Sequence, residues 1–166
     1  MKHIPLTQGK FAIVDDEDFD WLSQWKWCFN QGYAARTQNI GTFNGKEKKI
    51  GIQMHRLILG TPNGVETDHH DGDGLNNQRD NLREATSSQN QMNRASKINS
   101  TSLFKGVSWS RHKKRWVAQI TINKKVTYIG SFRNEVDAAK AYNEAAIIHY
   151  GEFARLNAFS DSDALI

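Results

Sequence analysis

The segment that most constrains the fold and function of this chain is residues 65–90, VETDHHDGDGLNNQRDNLREATSSQN. They hold the pair Asp68 and His69, with Asn81 standing 13 residues and Asn90 standing 22 residues after the Asp. Asp and Asn side chains offer hard oxygen ligands that suit Mg²⁺ or Mn²⁺. A His beside them can accept a proton from water near neutral pH. Together these residue types favour a phosphodiesterase that works with one metal ion.

The predicted local structure brings these side chains together. We predict a strand over 65–69, a polar loop over 71–80 and a second strand over 82–85. A capping box, Thr86-Ser-Ser-Gln89, then opens a helix that ends near residue 94. A hairpin followed by a helix can place the Asp and the second Asn within reach of one ion.

Other interpretations of the segment are weaker. Loops rich in Asp, Asn and Gly are common on protein surfaces, but a random polar loop rarely matches a pattern at four positions. A calcium loop that begins at Asp71 is excluded, because its sixth position is Asn76 rather than Gly and its twelfth is Leu82 rather than Glu. The nearby His55 is interpreted as structural, and His70 as an accessory residue.

Composition sets the broad class of the protein. The chain has 166 residues, of which 38% are hydrophobic, enough for one medium domain or two small ones. No apolar run approaches the ~18–20 residues of a membrane span, and the start lacks the apolar segment of a signal peptide. We therefore expect a soluble, cytoplasmic protein with no membrane partner. The single cysteine, Cys28, excludes an internal disulfide and a Cys-based zinc knuckle, and is expected to be buried.

The first sixty residues predict a small mixed unit with an aromatic core. The expected strands are 10–14, 25–30, 33–37 and 49–54, and the expected helices run from Asp15 or Asp16 to Gln24 and from His55 to Leu59. The aromatic side chains interpreted as core rather than as a binding surface are Trp21, Trp25, Trp27, Phe29 and Tyr33. Taken alone, this region does not indicate a function.

The stretch from Arg94 to Arg133 carries basic residues and no acidic ones. Ten Lys and Arg residues lie in this stretch and no Asp or Glu, with Trp109, Trp116 and Tyr128 interleaved. A solvated basic face is the simpler interpretation. The complete absence of compensating acids favours a polyanionic partner.

The last part of the chain predicts short strands followed by one helix. A polar stretch over 95–101 is the expected linker. The expected elements are strands over 105–109, 116–122 and 125–132, a tight turn at Asn123-Lys124, and a helix over 135–150 that Asn134 caps and Gly151 ends. The predicted fold class is α+β, with a small mixed module over 1–94, a three-stranded antiparallel sheet packed on one helix over 102–158, and a tail over 159–166.

The Asp68, His69, Asn81 and Asn90 set, with the run Asn-Leu-Arg-Glu-Ala-Thr that starts at Asn81, resembles the HNH endonuclease family. The similar form is that of phage and intron-encoded homing enzymes, and the resemblance covers about residues 50–95. It implies a β-β-α hairpin in which Asp68 and Asn90 ligate one divalent metal, Mg²⁺ or Mn²⁺. It further implies that His69 is the general base that activates water and that Asn81 braces the loop. The implied products carry 5′-phosphate and 3′-hydroxyl ends.

Residues 103–157 resemble the ethylene-response-factor type of plant DNA-binding domain, which also occurs in phage and bacterial HNH proteins. The resemblance is carried by FKGV at 104–107, RWVAQI at 115–120, YIGSF at 128–132, DAAKAY at 137–142 and ARLN at 154–157. It implies a sheet that faces the major groove of double-stranded DNA, with the helix behind it. The residues expected to contact DNA are Lys105, Ser108, Ser110, Arg111, Lys113, Lys114, Arg115, Gln119, Thr121, Lys124, Val126 and Tyr128.

The combined expectation is a sequence-specific, metal-dependent DNA endonuclease of the homing type, acting in a bacterial or phage-infected cell. The chain has one Asp68/His69/Asn90 set and no heptad pattern, so we expect a monomer that nicks one strand. Three alternatives stay open. They are a non-catalytic DNA-binding regulator, a dimeric restriction-type enzyme that cuts both strands, and a nuclease directed at RNA.

Overall fold

The computed structural model describes residues 1–96 and 100–160. The chain divides into two compact units at the boundary between Asn90 and Gln91. Residues 97–99 of the predicted linker and residues 161–166 of the predicted tail lie outside the described residues. The predicted α+β class is confirmed. In these described parts of the chain, no helix has both the length and the apolar character needed to span a membrane.

The first unit contains short antiparallel sheets joined by helices. Its strands are β1 (Lys2–Pro5), β2 (Phe11–Val14), β3 (Cys28–Asn30), β4 (Tyr33–Phe43), β5 (Lys46–Gln53), β6 (Glu66–His69) and β7 (Leu82–Ala85). The helices of residues 1–93 are α1 (Asp16–Leu22), α2 (Met54–Leu59) and α3 (Ser87–Asn93). The strands pair as β1–β2, β3–β4–β5 and β6–β7.

A buried apolar cluster holds this unit together. Its members are Ile4, Leu6, Ala12, Val14, Leu22, Trp27, Ala34, Met54, Ile58 and Leu82. Burial of such side chains is worth roughly 1.5–3 kcal/mol each for the larger ones. Because Leu82 belongs to β7, the hairpin that carries the predicted site is anchored in the main core of the unit.

The hairpin itself follows the prediction closely. The strand predicted over 82–85 has the observed bounds, and the one predicted over 65–69 begins at Glu66. Thr86 donates to Gln89 Oε1 through both its backbone N–H and its hydroxyl at 2.8 Å, and Gln89 N donates to Thr86 Oγ1 at 3.3 Å. The predicted capping box at the start of α3 is therefore confirmed.

The β4–β5 hairpin is much longer than predicted. The strand predicted over 33–37 is part of β4, and the one predicted over 49–54 belongs to β5 as far as Gln53, where α2 follows. Strand β1 has no counterpart in the prediction. Residues 37–51 are exposed, so no apolar alternation marks these strands in the sequence. The turn residues Asn44 and Gly45 have φ values of 48° and 73°, as a two-residue hairpin turn of this kind requires.

Cys28 and Trp25 were expected to be buried, and both expectations are wrong. Cys28 is exposed, and Trp25 is 37% exposed. The neighbouring Trp27 is 3% exposed and belongs to the core. Adjacent residues of an extended chain point to opposite sides, so the burial of Trp27 turns Cys28 outward.

The second unit is a three-stranded antiparallel sheet covered by one helix. Strands β8 (Val107–Ser110), β9 (Arg115–Ile122) and β10 (Lys125–Phe132) are ordered with β9 in the centre. Helix α4 (Glu135–Tyr150) packs on the sheet, where Ala138, Ala139 and Ala146 are fully buried. Small side chains allow this close approach. The predicted helix bounds and the cap are confirmed, since Asn134 Oδ1 accepts from Val136 N at 2.6 Å.

One glycine is required by the packing of this sheet. Gly106 has a φ of 75°, and a Cβ atom at this position would lie 2.0 Å from the ring of Tyr142. Tyr142 is 2% exposed and fills the space between sheet and helix. A side chain at position 106 would therefore displace the largest fully buried residue of the unit.

Candidate active site

Asn81 holds the loop that joins β6 to β7. Its side chain accepts from Asp71 N at 3.0 Å and donates to Asp71 Oδ1 at 3.0 Å and to Asn76 O at 2.8 Å. Its backbone carbonyl accepts from His70 N at 2.8 Å. These contacts fix the chain immediately after His69.

The rest of this loop is tied to β2 and α1. Asn77 N donates to Ile13 O at 2.7 Å, and Ile13 N donates to Leu75 O at 2.8 Å. The Arg79 guanidinium donates to both carboxylate oxygens of Asp18 at 2.8 and 2.7 Å, and Asp18 is 1% exposed. A bidentate pair of this kind fixes orientation as well as distance. The loop is therefore positioned by the N-terminal elements of its own unit.

His69 lies in a cluster of three rings. Its ring centroid is 5.7 Å from that of Tyr33 and 4.9 Å from that of His55, which meets it edge-on at 78°. Tyr33 and His55 are in turn 5.1 Å apart. Both histidines are 4% exposed. Packing by two rings restricts the orientation of the His69 imidazole.

Burial sets the protonation state of these histidines. The pKa of His55 is lowered to about 3, mainly by desolvation and to a smaller extent by the positive charges that His69 and Arg56 can carry. Desolvation also lowers the pKa of His69 below its usual 6.5, although a hydrogen bond with Asn77 and nearby carboxylates oppose the decrease. His69 is therefore neutral at pH 7, in the form that can accept a proton.

Asp68 is buried beside a guanidinium group. Arg83 Nε and Nη2 donate to Asp68 Oδ2 at 2.9 and 2.7 Å. The side chain of Asp68 is 4% exposed and that of Arg83 is 15% exposed. The two residues stand opposite one another in the β6–β7 register, so strand pairing brings them together.

Asn90 reaches the same hairpin from α3. Its Nδ2 donates to Glu66 Oε2 at 2.6 Å. Glu66 and Asp68 are two residues apart on β6 and so share a face of the strand. Because the Asn90 nitrogen is directed at Glu66, the planar amide turns its oxygen away from that carboxylate. Asp68 and Asn90 are thus two oxygen donors associated with one face of β6.

This donor set suits a particular kind of metal. Within the residues that the structure describes, no group of three or more His, Cys, Asp or Glu side chains is arranged to hold an ion. A site with few protein ligands, all of them oxygen, fits a hard ion such as Mg²⁺ that keeps several waters and also binds phosphate oxygens. It does not fit a metal that needs a closed cage of nitrogen and sulfur ligands.

Several residues of the site were not identified from the sequence. They are Tyr33, Glu66, Arg79 and Arg83, and His55 was interpreted only as structural. Arg83 could have been found, because a hairpin with the predicted strands places it opposite Asp68. Tyr33 and His55 gave no such signal, since both reach His69 from other elements of the unit.

The residues predicted to contact DNA lie on the second unit, most of them exposed. Gln119 stands opposite Tyr128, and Thr121 opposite Val126, so all four project from one face of the sheet. The exposed members of the predicted set are Ser108, Arg111, Lys113, Lys114, Gln119, Thr121, Lys124, Val126 and Tyr128, whereas Ser110 and Arg115 are half-buried. The buried residues Ala118 and Ile120 project from the opposite face, on which α4 packs.

Lys105 differs from the other predicted contacts. It is half-buried, and its ammonium group donates to the Met92 carbonyl. Its pKa is lowered to about 8, mainly by burial and to a smaller extent by the positive charge of Arg155. Because the second unit begins at Gln91, within α3, Met92 and Lys105 belong to the same unit.

Comparison with known proteins identifies the class of this site. Residues 54–92, which run from α2 into α3, match the HNH endonuclease family. The chain is 29% identical over 156 residues to an uncharacterized HNH endonuclease of Acanthamoeba polyphaga mimivirus, covering 90% of this chain and 76% of that relative. It is 35% identical over 111 residues to protein 3.8 of Escherichia phage T7, covering 66% of this chain and 91% of that relative. The protein is therefore a nuclease. Its HNH endonuclease domain covers residues 54–92.

Proposed function

We propose that the protein is a sequence-specific, divalent-metal-dependent DNA endonuclease of the homing type. The observation that carries this proposal is the setting of His69, a neutral and buried imidazole next in sequence to Asp68. The match of residues 54–92 to the HNH endonuclease family, together with the similarity to a viral protein named as an HNH endonuclease, supports DNA as the substrate.

His69 is the general base in this proposal. Its neutral imidazole takes a proton from the water that attacks the scissile phosphate. The rings of Tyr33 and His55 hold the plane of the imidazole, and Asn81 holds the chain that follows it. Fixed orientation matters here, because a general base must stay within hydrogen-bond reach of the proton it removes.

Asp68 and Asn90 are the residues that would hold Mg²⁺ or Mn²⁺. Such an ion, when bound, stabilises the negative charge that develops on the phosphate and on the leaving oxygen. Arg83 orients the Asp68 carboxylate, and Glu66 orients the Asn90 amide. By the same resemblance, hydrolysis leaves 5′-phosphate and 3′-hydroxyl ends.

The second unit is proposed to be the DNA-binding domain, of the ethylene-response-factor type. Its support is a three-stranded sheet with polar side chains on one face and a helix on the other. In this proposal the exposed residues Arg111, Lys113 and Lys114 between β8 and β9 contact phosphates. Gln119 and Thr121 contact base edges in the major groove.

The chain carries one catalytic set, so one polypeptide hydrolyses one phosphodiester at a time. Cleavage of both strands in one event needs a second set, related to the first by a two-fold axis. A DNA-binding domain on the same chain makes dimerisation unnecessary for affinity, because tethering raises the local concentration of the nuclease unit. We therefore propose a monomer that nicks one strand of an asymmetric site.

Cleavage of supercoiled plasmid tests this function. Wild-type protein should convert the plasmid first to open circles, and a chelator should stop the reaction. His69→Ala should lower the rate by about 10²–10⁴ while DNA binding survives. His149→Ala, which changes an exposed histidine on α4, is the matched control and should cleave normally.

Several results would contradict the proposal. Undiminished cleavage by His69→Ala, or in the presence of chelator, would exclude the proposed chemistry. Tight DNA binding without cleavage under any metal condition would favour a non-catalytic regulator. Linear plasmid formed from the outset by a protein that sediments as a dimer would favour a restriction-type enzyme, and cleavage confined to RNA would favour an RNA-directed nuclease.

A further inference from the structure

The β4–β5 ribbon extends into solvent with no core of its own. All residues from Thr37 to Gly51 are exposed, including Phe43 at 58% and Ile50 at 42%. Seven residues of extended chain, from Thr37 to Phe43, span roughly 20 Å. Long exposed hairpins are usually avoided, because their edges invite unwanted pairing. An exposed ribbon of this length, despite the risk of unwanted pairing, indicates that it binds a partner.

The charge of the ribbon indicates the chemistry of that partner. Lys46, Lys48 and Lys49 lie on β5, and Glu47 is the one acidic residue between Thr37 and Gly51. Glu47 forms an ion pair with Lys49 at 3.0 Å, and Lys48 Nζ lies 5.1 Å from the Phe43 ring centroid. The exposed amide and hydroxyl side chains between residues 37 and 51 are Thr37, Gln38, Asn39, Thr42 and Asn44. Basic residues interleaved with short polar ones suit a nucleic acid.

The base of the ribbon is built into the catalytic site. Tyr33, the first residue of β4, contacts the ring of His69. Strand β5 ends at Gln53 and runs directly into α2, whose His55 also contacts His69. On β4, the Arg36 guanidinium lies 4.4 Å from the centroid of the Trp25 ring. The base of the ribbon is thus fixed relative to His69 by one ring at the start of β4 and by a second ring just after the end of β5.

We propose that the β4–β5 ribbon is a second DNA-contacting element, which lies in a groove of the duplex beside the scissile phosphate. A two-stranded ribbon fits the major groove of DNA, and this one carries lysines for phosphates together with short polar side chains for base edges. A second copy of the chain is a poorer occupant, because pairing two ribbons would bring like charges together. The inference rests on the proposed function, since it assumes that His69 acts on duplex DNA.

Charge removal tests the proposal on the full chain. In a His69→Ala background, Lys46, Lys48 and Lys49 are changed together to Gln. The matched control changes Lys2, Lys10 and Lys26 to Gln, which removes equal charge from exposed positions elsewhere in the unit. The ribbon variant should lose about tenfold or more in affinity near 0.15 M salt, and its salt slope should fall by about 2 to 3. The control should change affinity by less than about twofold.

Tethered cleavage locates the ribbon on DNA. An iron–EDTA group is attached to Thr42→Cys in a Cys28→Ser background, since Cys28 is the single native cysteine and is exposed. Cuts should appear within about one helical turn of the enzyme's own cleavage site, as a ribbon of roughly 20 Å predicts.

A protein that cleaves DNA but gives no ribbon-directed cuts, and whose ribbon variant binds like the control, would overturn this inference and leave the proposed function intact. A wild-type chain that neither binds nor cleaves DNA would overturn both, and concentration-dependent dimers abolished by the ribbon substitutions would favour a second copy instead.

Discussion

Arg83 Nε and Nη2 donate to Asp68 Oδ2 across the β6–β7 hairpin, at 2.9 and 2.7 Å. Both side chains are largely buried, so the pair is only weakly screened by solvent. The proposed metal ligand therefore carries a permanent positive charge beside it. Metal binding must occur against this charge, and the pair also orients the carboxylate.

Arg83→Gln should therefore tighten Mn²⁺ binding at least several-fold, because a positive charge close to the ion is removed. Arg83→Lys keeps that charge and serves as the matched control, with an affinity close to that of the wild type. Binding is measured on DNA-free protein from the electron paramagnetic resonance signal of unbound Mn²⁺. Weaker binding to Arg83→Gln would show that orientation of the Asp68 carboxylate matters more than the repulsion.

Arg79→Met should destabilise the protein by about 2–3 kcal/mol, because it leaves the buried Asp18 carboxylate without its cation. Asp20→Asn is the control, since Asp20 lies 3.9 Å from Lys2 in an exposed pair and should change stability by less than ~0.5 kcal/mol. Urea unfolding measures both. Equal stability of the two variants would exclude a role for Arg79 in anchoring the loop.

The buried His55 should make stability depend on pH. Its pKa is lowered to about 3 in the folded chain, so between that pH and about 6.5 the unfolded chain binds more protons. Its contribution is complete above pH 6.5 and is lost as the pH falls, with a slope of at most ~1.4 kcal/mol per pH unit.

His55→Phe keeps a ring at this position but cannot be protonated. The difference in unfolding free energy between variant and wild type should therefore change in favour of the variant as the pH is lowered from 7 to 4. His3→Phe, at an exposed position, controls for the loss of an ordinary histidine. A difference that is constant over this pH range would mean that His55 is already able to take up a proton in the folded protein.

Substitutions on the second unit should separate affinity from sequence preference. Changing Arg111, Lys113 and Lys114 to Gln should weaken binding to all DNA sequences alike and lower the salt slope. Gln119→Ala or Thr121→Ala should instead change which sequence is preferred. Selection of bound duplexes from a random pool, followed by salt titration, measures both effects. If every variant lost affinity equally for all DNA sequences, base readout by this sheet would be contradicted.

Local patterns were sufficient for much of this fold. The β6–β7 hairpin, the capping box at Thr86 and the alanine-rich helix α4 depend on turn residues, caps and periodicity, which act over a few positions along the chain. The predicted strands of the exposed ribbon are too short for the same reason, because a strand with both faces in solvent shows no alternation of apolar residues. Cys28 was placed wrongly because its burial depended on which way its neighbour Trp27 turned.

The sequence by itself determined the chemical groups of the site. The types and spacings of Asp68, His69, Asn81 and Asn90 are local to one segment, and they indicate a nuclease without reference to the fold. Only the tertiary structure decided what surrounds these groups. Tyr33 and His55 pack against His69. Asp18 anchors Arg79. In each case the partners are distant in sequence. Burial and charge depend on which surfaces meet after the chain has folded, so the protonation state of His69 follows from packing.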